Sequence, residues 1–168
     1  MIGIVRGIFI CPTAGEPMQR ITQVAAIAGQ GLQGDRYSTG WGSFNNKKPW
    51  WWSIPFIHWI FKKKQKRQVT LINYTFFEGS GFEFQDSRRN LIVEGVELMS
   101  LIGQKFRVGT ARFRGMKYCD PCNRPSKLSG KQLSFKEAFL DRGGIIAEVI
   151  EGGTIMWGDK VITPDKGY

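Results

Sequence analysis

Short apolar segments separated by glycine turns run through most of this 168-residue chain, and they restrict the folds that it can adopt. Segments such as Ile2–Ile10, Gln68–Asn73 and Ile145–Ile150 have the length and β-branched content of strands. The capping-box pattern SFKE at 134–137 predicts one short helix that ends near Leu140. Many short strands with one or two short helices predict a mainly β protein, a closed or nearly closed β-barrel.

Two hairpins are predicted in the second half of the chain. The first pairs Gln104–Val108 with Ala111–Gly115 around a Gly-Thr turn. The second pairs Thr154–Trp157 with Lys160–Thr163 around a Gly-Asp turn.

The segment at about 38–67 differs in composition from the rest of the chain. It holds five of the six tryptophans, followed by the basic run KKKQKR. A chain of 168 residues is long enough to form one domain with its own core. We interpret residues 1–168 as a single domain and 38–67 as a Trp/Lys-rich insertion within it.

The net charge of +10 belongs to this same part of the chain. Eight basic residues and no acidic ones lie between Arg36 and Phe77, and without them the net charge is +2. A continuous nucleic-acid surface is therefore not expected. Trp50–Arg67 is predicted either to touch an acidic lipid surface or to form a lid over the barrel. Its uncharged part, Trp50–Phe61, is too short to cross a bilayer.

Cys119 and Cys122 lie three positions apart in the basic stretch Arg112–Pro125. A thiol reacts or binds metal as its thiolate, which nearby cations favour. Pro121 lacks an N–H and has a fixed φ, so the pair is predicted to lie in a turn rather than inside a helix. We interpret this stretch as the reactive centre.

The spacing of the two cysteines alone leaves three alternatives open. Half of a zinc site is not favoured, because Cys11 and His58, the other candidate ligands, are distant and unpaired. A thioredoxin-like dithiol expects cysteines that open a helix, whereas the flanks here have strand and loop character. Two ordinary surface thiols fit the pattern equally well. An odd number of cysteines predicts no disulfide framework and hence a cytoplasmic protein.

Six motifs follow one another in order along the chain, and together they resemble the MOSC domain. This module is found at the C-terminal end of molybdenum-cofactor sulfurases and as small standalone proteins. The resemblance covers nearly the whole chain apart from the insertion. The motifs are GLQGDRY (31–37), RRNLIVEG (88–95), LIGQKFRVG (101–109), CDPC (119–122), RGGIIAEV (142–149) and GGTIMWGD (152–159).

The resemblance implies a β-barrel and a pterin pocket with a cysteine beside it. That cysteine carries sulfur as a persulfide or ligates molybdenum, and it lies in a Pro-Cys context. Cys122 is therefore the first choice as functional thiol and metal ligand, and Cys119 the second. Basic and polar residues are expected to hold the phosphate of the molybdenum cofactor. The candidates are Arg88, Arg89, Asn90, Arg36, Asp35, Arg114 and Arg124.

Two of these candidates carry further expectations. Asp35 is expected to close a turn rather than to act in catalysis. Arg89 is expected to be exposed, so that its replacement by Ala weakens cofactor binding but leaves thermal stability nearly unchanged. Tyr37 departs from the family, in which many members carry histidine after the GDR step, and this leaves a proton-transfer role at the position in doubt.

The resemblance implies a protein that binds molybdopterin or carries sulfur, acting through a cysteine thiolate. Its activity would be that of a sulfurtransferase-like protein or a molybdenum-cofactor-dependent reductase. Its partners would be the pterin cofactor and a cysteine desulfurase or a molybdoenzyme. The alternative is a metal-free thiol-redox protein in which Cys119 and Cys122 cycle through a disulfide.

Overall fold

The computed structural model describes residues 2–39 and 67–164. The strands in these ranges are β1 (Ile2–Ile10), β2 (Gln19–Ile21), β3 (Gln23–Ile27), β4 (Gly31–Leu32), β5 (Val69–Asn73), β6 (Leu91–Glu94), β7 (Lys105–Val108), β8 (Ala111–Tyr118), β9 (Ile145–Glu151), β10 (Gly153–Met156) and β11 (Lys160–Ile162). Two short α-helices follow β8, namely α1 (Arg124–Ser129) and α2 (Phe135–Ala138). Single 3-10 turns lie at Arg36–Thr39, Tyr74–Phe77, Phe84–Ser87 and Leu98–Leu101.

A closed barrel forms the centre of the fold. Its strands follow the order β11-β7-β8-β9-β5-β6-β1, and a pairing between β11 and β1 closes the circle. That closing pair is antiparallel and joins Ile2 to Ile162. Only β5 and β6 run parallel among these pairs. Closure leaves these strands without unpaired edges, and the predicted mainly β barrel with two short helices is confirmed.

The barrel is filled by alternate residues of its strands. Ile145, Ala147 and Val149 point from β9 into this core. Phe106 and Phe113 stack inside it with ring centroids 5.6 Å apart. A residue at every second position facing inward is the side-chain period of a strand, which is why the apolar alternation predicts this face.

A second apolar cluster covers the outer face of β1, β5 and β6. Phe9, Ile72 and Ile92 come from these strands, and Phe135 and Phe139 come from α2 and the residue that follows it. The N-cap of α2 is Ser134, whose side chain accepts a hydrogen bond from the Glu137 N–H, as the sequence predicts. This packing positions α1, α2 and the preceding cysteine segment against the barrel.

A small three-stranded sheet, β10-β3-β4, lies beside the barrel. β10 pairs with β3, while β11 pairs with β7 and β1 in the barrel. The predicted hairpin between Thr154–Trp157 and Lys160–Thr163 is therefore wrong, because its two halves join different sheets. The predicted hairpin of β7 and β8 is confirmed.

The insertion proposed at about 38–67 lies mostly outside the described residues, so the single-domain interpretation stays a prediction. No helix in the described ranges is long and apolar enough to cross a membrane.

Gly144 illustrates how closely β9 approaches β5. It has a φ of +83°, and a Cβ at this position would collide with the Leu71 carbonyl oxygen. Gly130, which ends α1, has a φ of +69° but nothing within 4 Å of an added Cβ.

Replacing these two glycines separates the cost of a left-handed backbone from the cost of a collision with β5. We expect Gly130→Ala to lower the free energy of unfolding by about 1–2 kcal/mol, the cost of a left-handed residue. Gly144→Ala should cost a further ~1–3 kcal/mol, because β5 must also move. Urea denaturation measures both. Equal losses would contradict the close approach of β9 to β5.

Candidate functional site

Three motifs that are distant in sequence contact one another beside β5. They are the loop after β4 that carries Asp35, the Arg88–Asn90 step before β6 and the cysteine segment after β8. Arg67, two residues before β5, joins them. The structure thus brings together most of the residues that the sequence singles out.

Asp35 and Asn90 form the buried polar framework of the site. The Asp35 carboxylate accepts hydrogen bonds from the N–H groups of Cys11 (2.8 Å) and Tyr37 (3.1 Å). Asn90 donates to the Phe9 carbonyl (3.1 Å) and accepts from the Thr70 N–H (3.0 Å). Both side chains are almost fully buried. These bonds fix the loop after β4 against β1 and β5, so the turn-forming role expected of Asp35 agrees with its contacts.

Arg89 is buried, with 5% of its surface exposed. Its guanidinium donates to three main-chain carbonyls, those of Gly143 (2.9 Å), Ser87 (3.2 Å) and Cys119 (3.2 Å). The expectation that Arg89 is exposed is therefore wrong, and the reason for expecting little effect of its replacement on stability no longer holds. The residue connects the cysteine segment to the two glycines before β9 and to the 3-10 turn at Phe84–Ser87.

Both cysteines of the segment act on the pKa of Arg89. Burial lowers the pKa of Arg89 from its ordinary value, because desolvation disfavours the charged form. Cys119 raises the pKa of Arg89, Arg67 lowers it further, and Cys122 raises it. An arginine keeps its charge under ordinary conditions. A fixed positive charge therefore lies within electrostatic reach of both sulfurs.

Cys119 contacts a second guanidinium. The residue is 2% exposed, and Arg67 donates to its Sγ at 3.2 Å. The Arg67 Cζ also lies 5.6 Å from the centroid of the Tyr37 ring. On the same ring, the Arg36 Cζ lies at 4.4 Å, and Arg36 Nη2 donates to the Tyr37 hydroxyl at 3.1 Å. Cation–π contacts thus link the loop after β4 to the cysteine segment through Arg67.

Cys122 is exposed, unlike Cys119. It lies in the irregular segment between β8 and α1, which confirms that the two thiols are outside a helix. A helix nevertheless follows directly, so the expectation that a loop follows the cysteines is wrong. α1 is only six residues long, too short to give a clear helical pattern in the sequence.

The remaining candidates lie around this centre. Arg124 is exposed at the first position of α1. Arg114 forms an ion pair with the buried Glu148 across β8 and β9, at 3.5 Å. Arg88 donates to the Glu16 carbonyl (2.8 Å) and to the Sγ of Cys11 (3.1 Å), away from the two-cysteine segment. A cofactor-binding role for each stays a prediction.

Arg67 is the site residue that sequence reasoning did not single out. It stands at the end of the run KKKQKR, which we interpreted only as part of a segment that touches an acidic lipid surface or forms a lid. The predicted membrane contact of Trp50–Arg67 lies, apart from Arg67 itself, outside the described residues. Within the described ranges, no group of three or more His, Cys, Asp and Glu side chains could hold a metal ion.

Comparison with known proteins assigns the chain to a family. A family model of the MOSC domain matches residues 67–162, from the site arginine to the last barrel strand. The chain belongs to the MOSC domain family. The resemblance found in the sequence is thereby confirmed. No curated protein sequence matches the chain significantly.

Solved structures share the fold of this MOSC domain. YuaD from Bacillus subtilis superposes with a TM-score of 0.72 at 17% identity, over 96% of this chain and 94% of its own. YiiM from Escherichia coli gives 0.63 at 14% identity, over 99% and 71%. YiiM from Geobacillus stearothermophilus gives 0.62 at 12% identity, over 98% and 76%. At these identities the likeness shows the fold alone.

Replacing Arg89 tests whether the guanidinium organises the site. We expect Arg89→Ala to lower the free energy of unfolding by roughly 2–4 kcal/mol, because three buried carbonyls lose a charged donor. Arg107→Ala, at an exposed position of β7, should change it by no more than about 0.5 kcal/mol. Chemical denaturation measures both variants. If the two unfold alike, Arg89 is not a structural residue.

Proposed function

We propose that this MOSC domain binds the anionic molybdenum cofactor and carries sulfur on Cys122, with Cys119 beside it. The observation that supports the proposal best is Arg67, which contacts the Cys119 sulfur and the Tyr37 ring at once. This arrangement gathers cations and thiols at one place. Cations attract phosphate and stabilise thiolates, and thiolates are both sulfur nucleophiles and soft metal ligands.

The residues at the site fit a phosphate-bearing, sulfur-rich cofactor in chemical type. Arg36 and Arg124 are the candidates for binding the phosphate. Arg36 reaches the surface beside Tyr37, and Arg124 reaches it beside the cysteine segment. Arginine matches phosphate geometry through its planar fork of donors. Cys122, the exposed thiol, is the candidate ligand. When bound, the cofactor would supply the molybdenum that accepts sulfur or is held by the thiolate.

Arg89 and Asn90 contribute to this site from within. Their polar atoms bond to main-chain and side-chain groups of the protein. We therefore propose that they position the cysteine segment and the loop after β4, rather than contact the phosphate directly. Arg114 forms an ion pair with Glu148, and its charge would therefore act on the cofactor only at long range.

Sulfur transfer to Cys122 requires a donor persulfide, R–S–SH. The Cys122 thiolate attacks the outer sulfur of the donor, the donor S–S bond breaks, and R–S⁻ leaves with the electron pair. The product is a persulfide on Cys122, and no net oxidation occurs. Arg89 and Arg67 would stabilise the negative sulfur throughout. A cysteine desulfurase would be a suitable donor and a molybdoenzyme a suitable acceptor, in the cytoplasm.

Loading with a small-molecule persulfide tests this proposal. We expect the protein mixed with glutathione persulfide to gain one sulfur atom within seconds, seen by alkylation and mass spectrometry of the intact chain. Cys122→Ser should abolish the gain, because the exposed nucleophile is lost. Cys11→Ser is the matched control, since Cys11 is buried and its Sγ donates to the Thr13 carbonyl at 2.8 Å.

The outcomes separate the possible thiols. Loading that survives in Cys122→Ser would contradict the assignment of Cys122. Absence of loading in every variant would contradict sulfur carrying as a whole.

A further inference from the structure

The two thiols of the Cys-x-x-Cys segment have opposite environments. Cys119 is buried and contacts a guanidinium, whereas Cys122 is exposed. Neither takes part in a disulfide. A sulfur carrier needs only one accessible thiol, so the buried second thiol has no role in the loading step itself.

Cys119 is held in place by the barrel. Its N–H donates to the Gly144 carbonyl at 2.9 Å, and its carbonyl accepts from Arg89 at 3.2 Å. Gly143 approaches the segment so closely that an added Cβ would collide with the Cys119 carbonyl oxygen. The inner thiol therefore has a fixed position beside Arg67.

The outer part of the segment packs against Gly143 through Pro121 but has few hydrogen bonds. Within the described residues, Asp120, Pro121 and Cys122 form no main-chain hydrogen bonds. The next residue, Asn123, is anchored again, because its side-chain oxygen accepts from Ser134 Oγ at 2.9 Å and from the Lys136 N–H at 3.2 Å. Cys122 thus lies on a short span between two fixed points, where a local movement toward Cys119 breaks no main-chain bond.

We propose that Cys119 is a resolving thiol that discharges a persulfide from Cys122 as hydrosulfide. The proposal rests on the sulfur-carrying function proposed above. The Cys119 thiolate attacks the Sγ of Cys122, and the bond between that Sγ and the outer sulfur breaks. The electron pair leaves with the outer sulfur as HS⁻. The two cysteines end as a disulfide, so the protein is oxidised by two electrons and the transferred sulfur is reduced to sulfide.

Two cations serve this step. Arg67 donates to the attacking sulfur at 3.2 Å and so holds it beside the guanidinium. Arg89 donates to the Cys119 carbonyl at 3.2 Å, so its charge lies beside the residue that carries the attacking thiol. Cys11 cannot substitute for Cys119, because it is buried elsewhere, between Arg88 and the carbonyls of Thr13 and Glu16. A cellular thiol reductant would return the disulfide to two thiols.

A single-turnover experiment tests the resolving thiol. The reduced protein is loaded anaerobically with one equivalent of glutathione persulfide and desalted, and released sulfide and intact mass are followed over time. We expect the wild type to release up to one sulfide per chain and to lose two hydrogens relative to the reduced protein, as a disulfide forms. Cys119→Ser and Cys119→Ala should keep the added sulfur at least about ten times longer.

Arg67→Lys and Arg67→Gln test the positioning role of Arg67. Arg67→Gln should slow discharge about tenfold more than it slows loading, and Arg67→Lys should partly restore the discharge rate. A merely structural role would alter loading, discharge and thermal unfolding together. Cys122→Ser reports the background sulfide from the donor.

Each outcome decides the proposal. A wild-type persulfide that lasts as long as that of the Cys119 variants would overturn the resolving role while leaving sulfur carrying intact. If no variant, Cys119→Ala included, gains sulfur, then the sulfur-carrying function itself fails. Sulfide release without a disulfide would also overturn the proposal.

Discussion

The site depends most on the hydrogen bonds that the buried guanidinium of Arg89 donates. A charge inside a protein is tolerated only when its donors are satisfied, and Arg89 satisfies them with carbonyls from Ser87, Cys119 and Gly143. Those carbonyls belong to two connections between barrel strands, Ser87 to the one between β5 and β6, and Cys119 and Gly143 to the two ends of the one between β8 and β9. One cation therefore joins the connections, and the positions of the thiols follow from the same bonds that hold the barrel's loops together.

Glycine has a matching role on the other side of the cysteine segment. Gly143 and Gly144 pass so close to Cys119 and Leu71 that any side chain would collide with a main-chain oxygen. The RGG motif is thus explained by close approach of main chains, and the RRN motif by a buried cation and a buried amide. Both motifs support the cysteines from within the fold.

The local parts of the fold could be predicted from the sequence. Strand β1 begins and ends as predicted, and the β7–β8 hairpin follows from alternation around a Gly-Thr turn. The partner of β11 could not be predicted, because β11 pairs with β1 at the opposite end of the chain. Ile2 of β1 lies opposite Ile162 of β11. A closed barrel requires such distant pairings, which short-range patterns do not encode.

The site shows the same division. Its motifs were found because their order resembles the MOSC family, and the structure brings them together. The burial of Arg89 was missed, because arginine is rarely buried and two of its three carbonyl partners, Cys119 and Gly143, are distant in sequence. Arg67 was missed for another reason. It ends a basic run, and nothing in the sequence distinguishes it from the neighbouring lysines.

Arg67 is also where the cofactor site is tested most directly. If Arg67 joins the Cys119 thiol and the Tyr37 loop into one anion site, then affinity for molybdopterin depends on its charge. The measurement is equilibrium binding of molybdopterin, released anaerobically from a molybdoenzyme, to the wild type, Arg67→Gln and the exposed control Arg107→Gln. Arg67→Gln should bind about ten- to a hundred-fold more weakly, the scale of a charge-assisted hydrogen bond, while Arg107→Gln binds like the wild type. Equal affinity of Arg67→Gln and the wild type would contradict an anionic cofactor site at this cluster.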